Sequence, residues 1–261
     1  SDSPKQSKPT VLSSTIQETF LQFEFDGYHM IEAQTPNGVE YIINLEGGSS
    51  ILDAGAPDLD HFTTSIVIPD QGTTSIEVIS SSYRDYENVM VAPSKGNLSR
   101  SVIPSEVEYV YNDSYNQDSF YPGTLAELRA PYILRDLRGQ AVVIYPLQYN
   151  PQTKTLRVYS DIEVKVTTMG TGGVNALYRS ESKRSLSREY NNIYKDLFLN
   201  YANDTRFDYI VDEGNMLIIS HGDFMDEMQP LVDWKNRKGI PTEMVNVSSI
   251  GSSSSAIESF V

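Results

Sequence analysis

The chain has 261 residues, of which 35 are acidic and 20 are basic, so its formal net charge is −15. That charge argues against a protein that follows nucleic-acid phosphates, because such binding needs a clustered basic face. The absence of cysteine excludes disulfides, thiolate metal sites and a cysteine nucleophile within this chain. No apolar run reaches the ~18–20 residues that cross a bilayer, so no membrane span is predicted. No leader sequence opens the chain, and we expect any signal peptide to have been removed already.

Two segments, residues 21–25 and 106–111, alternate apolar and polar residues with the period of a half-buried β-strand. Short runs rich in β-branched residues predict further strands at 41–45, 65–68, 75–79, 89–92, 141–145, 156–159 and 162–166. Nine or so short strands separated by turn residues, with no long helical pattern among them, favour a mainly β fold. We predict an antiparallel, jelly-roll-like β-sandwich over residues 1–168. A β-barrel is the alternative that the periodicity leaves open.

The charge is unevenly distributed, and its pattern divides the chain into three parts. Residues 1–168 carry a net charge of −11, residues 169–206 carry +2 and residues 207–261 carry −6. The middle part opens with the Gly-rich sequence 169–173 and continues through serines and basic residues, which is typical of a linker. From 190 to 201 apolar residues recur at helical spacing, which predicts one amphipathic helix with Ser187 as its N-cap.

The last part has the pattern of a βαβ unit. A strand is predicted at 216–220, a helix at 225–238 that Gly239 ends, a second strand at 242–247, and the start of another helix at 256–261. One βαβ unit cannot cover both faces of a parallel pair of strands. We therefore interpret residues 207–261 as the beginning of a larger α/β domain.

No combination of residues in the chain predicts catalysis. The histidines, His29, His61 and His221, have no partners at ligand spacing, although His221 follows a predicted strand at the edge where open α/β sheets bind ligands. The nucleophile elbow, the Walker loop and the dinucleotide-binding glycine motif are absent from the sequence. We therefore expect no catalytic residue, no metal and no cofactor in this chain.

Basic residues cluster around the predicted linker: Arg179, Lys183, Arg184, Arg188 and Arg206. An ordinary solvated hinge accounts for them. A processing region of a zymogen accounts for them equally, because flexible polar segments are preferred places of proteolysis. The pattern alone leaves both interpretations open.

A series of longer motifs resembles the propeptide of the gingipain family of cysteine endopeptidases. These motifs are Val89-Met-Val-Ala-Pro-Ser-Lys-Gly96, Ile133-Leu-Arg-Asp-Leu-Arg-Gly-Gln140, Pro146-Leu-Gln-Tyr-Asn-Pro151 and Thr153-Lys-Thr-Leu-Arg157. Further along, Met216-Leu-Ile-Ile219 and Val232-Asp-Trp-Lys-Asn236 resemble the opening βαβ of the family's catalytic domain. The likeness is strong over residues 75–168, good over 189–247 and weak before residue 60.

This resemblance implies a β-sandwich prodomain that caps the active site of a secreted or cell-surface peptidase, keeps the zymogen latent and assists its folding. The implied inhibitory loop consists of Ser94, Lys95, Gly96, Asn97, Leu98, Ser99 and Arg100. Arg100 would occupy the pocket for the basic side chain before the scissile bond, since a guanidinium pairs bidentately with a carboxylate. Lys95 is the alternative occupant, and a purely structural turn at 93–96 is the third interpretation.

The resemblance also implies a partner and a maturation site. The partner is the cognate gingipain-like catalytic domain, in the same chain or after cleavage. Cleavage is predicted at Arg206, where the family's propeptide ends in arginine, with the other four basic residues of the linker as further processing candidates. The family's catalytic cysteine and histidine would lie beyond Val261, so this chain is expected to be non-catalytic and its parent an Arg- or Lys-directed hydrolase.

The predicted domains are therefore a propeptide sandwich (1–168), a basic linker with an amphipathic helix up to the cleavage site (169–206) and an N-terminal fragment of the catalytic domain (207–261). A β-sandwich adhesion or glycan-binding module attached to an α/β domain is the competing hypothesis. Such a module should expose aromatic side chains on one face and give Arg100 no role. The 17 tyrosines of the chain keep this hypothesis open.

Overall fold

The structure, a computed structural model, describes residues 4–178, 188–203 and 215–261. Within these ranges the chain forms two compact units. The first comprises residues 4–178 and 193–203, and the second comprises residues 188–192 and 215–261. None of the helices described is long and apolar enough to cross a bilayer.

The first unit is built almost entirely from β-strands. In chain order they are β1 (Thr10–Ser14), β2 (Glu18–Glu24), β3 (His29–Thr35), β4 (Gly38–Asn44), β5 (Ser49–Ser50), β6 (Asp60–Ile68), β7 (Thr73–Tyr86), β8 (Ala126–Leu128), β9 (Tyr132–Leu134), β10 (Leu137–Ile144), β11 (Leu147–Asn150) and β12 (Thr155–Met169). Single 3-10 turns lie at Pro104–Glu106, Asp113–Asn116 and Tyr201–Asn203.

Two five-stranded antiparallel sheets and one hairpin make up this unit. In the first sheet β12 is central. β7 pairs along one edge of β12, and the other edge pairs with β11 over its first half and with β2 over its second half. β1 pairs with β2. In the second sheet β10 is central, between β6 on one side and β8 and β9 on the other. The short strand β5 pairs with the beginning of β6. Strands β3 and β4 form the separate hairpin.

The inner faces of the two sheets share one hydrophobic core. Alternate residues of β2 point inward, so Leu21 and Phe23 are fully buried while their neighbours are not. The Phe23 ring meets Phe62 of the opposite sheet edge to face, with centroids 6.1 Å apart. Neither sheet closes on itself within the described residues. The predicted mainly β, antiparallel fold is therefore confirmed, and the barrel alternative is wrong.

The strand predictions were wrong at two places, each with a local cause. Residues 106–111 form no strand. Pro104 opens a 3-10 turn, and Tyr111 packs against the end of β3 through a hydrogen bond with Thr35. Residues 89–92 make only a single bridge, from Val91 to Tyr41, because the next bridge along the chain, at Pro93, is made to a different segment, at Pro57. The two strands predicted at 156–159 and 162–166 are one strand, β12, with one register shift between them, from Tyr159 to Asp161.

A buried arginine holds the glycine-rich segment after β12 against the sandwich. Arg138 on β10 is fully buried and donates to three backbone carbonyls: Pro69 (3.1 Å), Gly72 (3.0 Å) and Val174 (2.7 Å). The Gly72 amide also donates to the Gly172 carbonyl at 2.7 Å. The segment predicted as the start of a linker is thus part of the first unit as far as residue 178.

The second unit contains the predicted βαβ. Its elements are β13 (Met216–Ser220), α2 (Met225–Arg237), β14 (Thr242–Asn246), α3 (Val247–Ile250) and α4 (Ser254–Phe260), and a 3-10 turn at Gly222–Phe224 precedes α2. β13 and β14 are parallel, as a crossover helix requires. The chain leaves α2 at Gly239, whose φ of 79° is a left-handed value that glycine adopts without strain. Helix α1 (Arg188–Leu197) spans the boundary between the two units.

Candidate functional site: an anchored loop that carries Arg100

The base of the predicted loop is bound on both sides. The Ala92 amide donates to the Tyr41 carbonyl (2.9 Å), and the Tyr41 amide donates to the Met90 carbonyl (2.8 Å). On the other side the Asp58 amide donates to the Ala92 carbonyl (2.8 Å), and the Ser94 amide donates to the Ala56 carbonyl (2.7 Å). Residues 91–94 are buried, so the loop starts from a fixed point in the sandwich.

The chain turns away from the sandwich at Gly96. Its φ is 76°, a left-handed value, and a Cβ there would lie 2.9 Å from the Cβ of Ala54. A side chain at this position would meet both backbone strain and a steric clash. The Gly96 amide donates to the Ser94 hydroxyl at 3.2 Å, which fixes the direction in which the loop leaves.

Lys95 connects the start of the loop to the segment that follows the loop, and it does not project from the protein. Its ammonium donates to the Pro104 carbonyl at 2.7 Å and lies 4.2 Å from the centre of the Tyr109 ring. Both contacts are favourable for a cation. Lys95, the alternative candidate for the basic pocket of the peptidase, is thus bound within its own chain.

Arg100 lies in a β-turn at the outer part of the loop. The Val102 amide donates to the Ser99 carbonyl at 2.9 Å, and the Ser99 hydroxyl lies 3.1 Å from that of Ser101. The Arg100 side chain is exposed and makes no ion pair or hydrogen bond with the described part of the chain. After Ser101 come two apolar side chains, Val102 and Ile103, which are 39% and 55% exposed.

A cavity of about 300 Å³ adjoins the loop on the side of the β3–β4 hairpin. Its lining includes Ile42, Leu52, Asp58 and Leu98. Burial, and after it the charge of Asp60, raises the pKa of Asp58 to about 6. Burial is also the main reason that the pKa of Tyr109 is raised, and the charge of Asp58 adds to it. The base of the loop therefore rests over a half-buried acid.

The segment after the loop packs beside its base through tyrosine hydroxyls. The Tyr111 hydroxyl donates to the Glu40 carboxylate and lies 3.0 Å from the Thr35 hydroxyl. The Tyr115 hydroxyl donates to the Val91 carbonyl at 2.8 Å. Sequence reasoning missed these supporting residues and the turn around Arg100. Ser99 and Ser101 on either side of Arg100 were an available signal, since serines adjacent to a turn commonly bond its backbone.

The structure gives little information on the processing candidates. Arg179, Lys183, Arg184 and Arg206 lie outside the residues that the structure describes, and of Arg188 only its position at the start of α1 is described. Their role in maturation stays a prediction. His221 begins the 3-10 turn that precedes α2, where its Nδ1 accepts from the Asp223 amide at 3.3 Å.

Exposed aromatic rings are few on the first unit. Among its described residues, the large aromatic side chains that are exposed are Tyr83 (52%) and Tyr178 (76%). The guanidinium of Arg157 covers the Tyr83 ring at 4.0 Å. The aromatic face on which the adhesion hypothesis depends is thus not found in this part of the chain.

The first unit is thus mainly β and presents a basic side chain on an anchored loop. No cluster of potential metal ligands is found among the residues that the structure describes. Residues 3–198 match the model of the Propeptide_C25 family, and the chain belongs to that family. The resemblance found in the sequence is thereby confirmed.

Individual relatives agree with this assignment. The chain is 37% identical to Gingipain R2 of Porphyromonas gingivalis over 255 residues, which are 96% of this chain and 34% of that protein. It is 24% identical to Lys-gingipain of the same species over 271 residues, or 98% of this chain and 16% of that protein. The chain thus spans about a third of Gingipain R2 and less of Lys-gingipain.

Two solved structures are similar. The complex of the Porphyromonas gingivalis RgpB pro- and mature domains matches with a TM-score of 0.69 at 37% identity, over 75% of this chain and 97% of that chain. A structure concerning the zymogenic latency of gingipain K from Porphyromonas gingivalis matches with a TM-score of 0.56 at 23% identity. It covers 65% of this chain and 96% of that chain, and it supports the fold alone.

Proposed function

We propose that this chain keeps a gingipain-like cysteine endopeptidase latent, assists its folding and acts outside the cell. Membership of the propeptide family supports this role, as does the similarity to a pro- and mature-domain complex. The partner is the cognate catalytic domain. Residues 207–261 are the N-terminal fragment of that domain, and cleavage at Arg206 separates the two.

In this proposal the loop of residues 94–100 enters the active-site cleft of the partner, and Arg100 fills its pocket for a basic side chain. The observation that carries the proposal is the contrast between the two cations of the loop. Lys95 is bound to the Pro104 carbonyl and the Tyr109 ring, whereas Arg100 is exposed at a turn with no partner in the described chain. A loop held before binding loses less conformational entropy when it binds.

A guanidinium in such a pocket should dominate the affinity. Truncating one partner of a buried, hydrogen-bonded charge pair costs ~2–5 kcal/mol, which is roughly 30-fold to several-thousand-fold in affinity. Arg100→Lys should recover part of this loss in an Arg-directed peptidase, because an ammonium keeps the charge but not the fork.

The test is inhibition of an arginine-specific gingipain-type catalytic domain by the full chain and by four variants. We expect Arg100→Ala to raise the inhibition constant by at least 30-fold. Arg84→Ala is the matched control, because Arg84 is also exposed: its guanidinium lies 5.3 Å from the centre of the Tyr86 ring and forms no ion pair with the described residues. Lys95→Ala and Arg100→Lys complete the set.

Tight inhibition that Arg100→Ala leaves unchanged would retain the prodomain and remove Arg100 from the pocket. A large loss with Lys95→Ala in its place would assign the pocket to Lys95. No inhibition of arginine-specific, lysine-specific and cognate peptidases by the wild-type chain would contradict the proposed function itself.

A further inference from the structure

The second half of α1 and the turn after it present three aromatic rings to the sandwich. Tyr194, Phe198 and Tyr201 are only 0%, 2% and 1% exposed. Their spacing of four and three residues places them on one side of the helical segment. The Tyr194 ring lies 6.1 Å from that of Phe198 and 5.5 Å from that of Tyr201, so the three rings form one continuous cluster.

A glycine on the sandwich makes room for this cluster. Gly139 lies in the middle of β10, where glycine ordinarily weakens a strand. A Cβ at that position would be 2.6 Å from the Phe198 ring and 2.8 Å from the Tyr132 ring. Tyr132 and Phe198 are stacked with centroids 6.3 Å apart and planes 17° apart. The missing side chain therefore creates the pocket into which Phe198 fits.

The backbone of β6 binds the same segment by hydrogen bonds. The Leu199 amide donates to the Ser65 carbonyl at 3.0 Å, and Phe198 forms a parallel bridge with Ser65. The Asn200 amide group binds both polar groups of the Val67 backbone, accepting from its N–H at 2.7 Å and donating to its C=O at 2.9 Å. Main-chain bonds to a sheet edge, combined with pockets for side chains, are the way in which sheets bind separate peptides.

We propose that the surface formed by β6, Tyr132 and Gly139 is a peptide-binding site for residues 193–203, and that this segment stays bound after the chain is cut between residues 178 and 189. Every contact described above between the segment and the sandwich is non-covalent, and it joins the segment, which is downstream of the cut, to the sandwich, which is upstream of it. The upstream end is held separately, because Arg138 bonds Val174 and the Leu177 amide donates to the Asp70 carbonyl at 2.8 Å.

This inference deepens the proposed function and rests on it where maturation is concerned. Cleavage at Arg179, Lys183, Arg184 or Arg188 would leave the downstream part of the chain attached to the sandwich. Of the five processing candidates, Arg206 alone lies beyond the bound segment. Release of the downstream unit would therefore depend on the cut at Arg206, and the other sites would be cut without consequence.

The test uses the full chain with residues 180–186 replaced by the seven-residue recognition sequence of a site-specific viral protease. After complete cleavage, verified on a denaturing gel, the two pieces are examined by native size-exclusion chromatography and by dilution to nanomolar concentration. We expect them to elute together. Separate elution of the two wild-type pieces would overturn the proposal.

Two variants locate the site. Gly139→Ala places a methyl group against the Phe198 ring and should weaken the association by at least about 100-fold, as should Phe198→Ala. Gly123→Ala is the matched control, because a Cβ there has its nearest neighbour, the Phe120 carbonyl oxygen, at 4.0 Å. Circular dichroism of the uncut variants establishes that they are folded.

A synthetic peptide of residues 190–203 provides a measurement that does not depend on the variants. It should compete with the cut piece for the sandwich and displace it. Failure of the peptide to displace that piece at a hundredfold excess would also contradict the proposal. No peptidase activity is read in these experiments, so they can fail while inhibition through Arg100 succeeds, and the reverse is equally possible.

Discussion

Replacement of Arg138 by methionine is the most informative single change for the stability of the first unit. Methionine replaces the aliphatic stem of the arginine and has no donors, so the carbonyls of Pro69, Gly72 and Val174 would lose their partner together. Burial lowers the pKa of Arg138, and the charge of Asp70 opposes that effect. The three carbonyls and the charge of Asp70 thus stabilise the charged guanidinium, which burial separates from water.

The size of the effect follows from these bonds. A buried acceptor left without a donor costs ~1–3 kcal/mol, and losing one side of a buried charged network costs ~3–5 kcal/mol. Partial entry of water should keep the total for three carbonyls near the second figure. We therefore expect Arg138→Met to lower the free energy of unfolding by about 3–5 kcal/mol, and Arg138→Lys by about 1–3 kcal/mol.

Urea unfolding and amide hydrogen exchange measure this effect at two scales. The amides of Gly72 and Leu177 should lose protection in Arg138→Met, because their acceptors lie on the segments that Arg138 joins. Amides that pair β10 with β6 provide the internal reference, and Arg84→Met is the control on an exposed arginine. A loss below about 1 kcal/mol, with both amides still protected, would refute the role given to Arg138.

Two further predictions concern charged groups. Because burial, and then the charge of Asp60, raises the pKa of Asp58 to about 6, its ionised form destabilises the fold above that pH, and the cost disappears as the pH falls toward 4. Asp58→Asn should therefore raise the free energy of unfolding by ~1–2 kcal/mol at pH 7.5 and by almost nothing at pH 4 in urea titrations, and a gap independent of pH would contradict this. Arg157 binds both oxygens of Asp85 at 2.8 Å and lies between two aromatic rings at 4.0 and 4.1 Å. Arg157→Lys should lower the unfolding free energy by ~1–2 kcal/mol, and equal urea midpoints would exclude a role for the planar fork.

The sequence predicted the strands with a clear alternating or β-branched pattern and missed the short strands and those without such a pattern. Residues 21–25 alternate clearly, and they lie in β2 with Leu21 and Phe23 buried. Strands β5, β8 and β9 have only two or three residues each, which is too short for any periodicity to show. β1, β3 and β11 were missed as well, the first two with much of their surface exposed. Helix α2 and the parallel pair around it were predicted nearly to the residue.

The candidate loop could be placed from the sequence, but the roles of its two cations could not be distinguished there. Lys95 and Arg100 are five residues apart in similar polar sequence. What separates them is the Pro104 carbonyl and the Tyr109 ring, which the fold brings to Lys95. The same limit applies to Gly139, whose meaning depends on Phe198, a residue 59 positions away that reaches it only in the folded chain.

The central position of β12 has a consequence for the order in which the protein is made. β12 is the last strand of the sandwich to leave the ribosome, yet β2, β7 and β11 all pair with it. Phe23 of β2 must wait for Ile162, which is 139 residues later in the chain. At ~5–20 residues per second, that wait lasts about 7–28 s. Throughout it, the edge of β2 that later pairs with β12 has no partner strand, so β2 is exposed to aberrant pairing while the rest of the chain is being made.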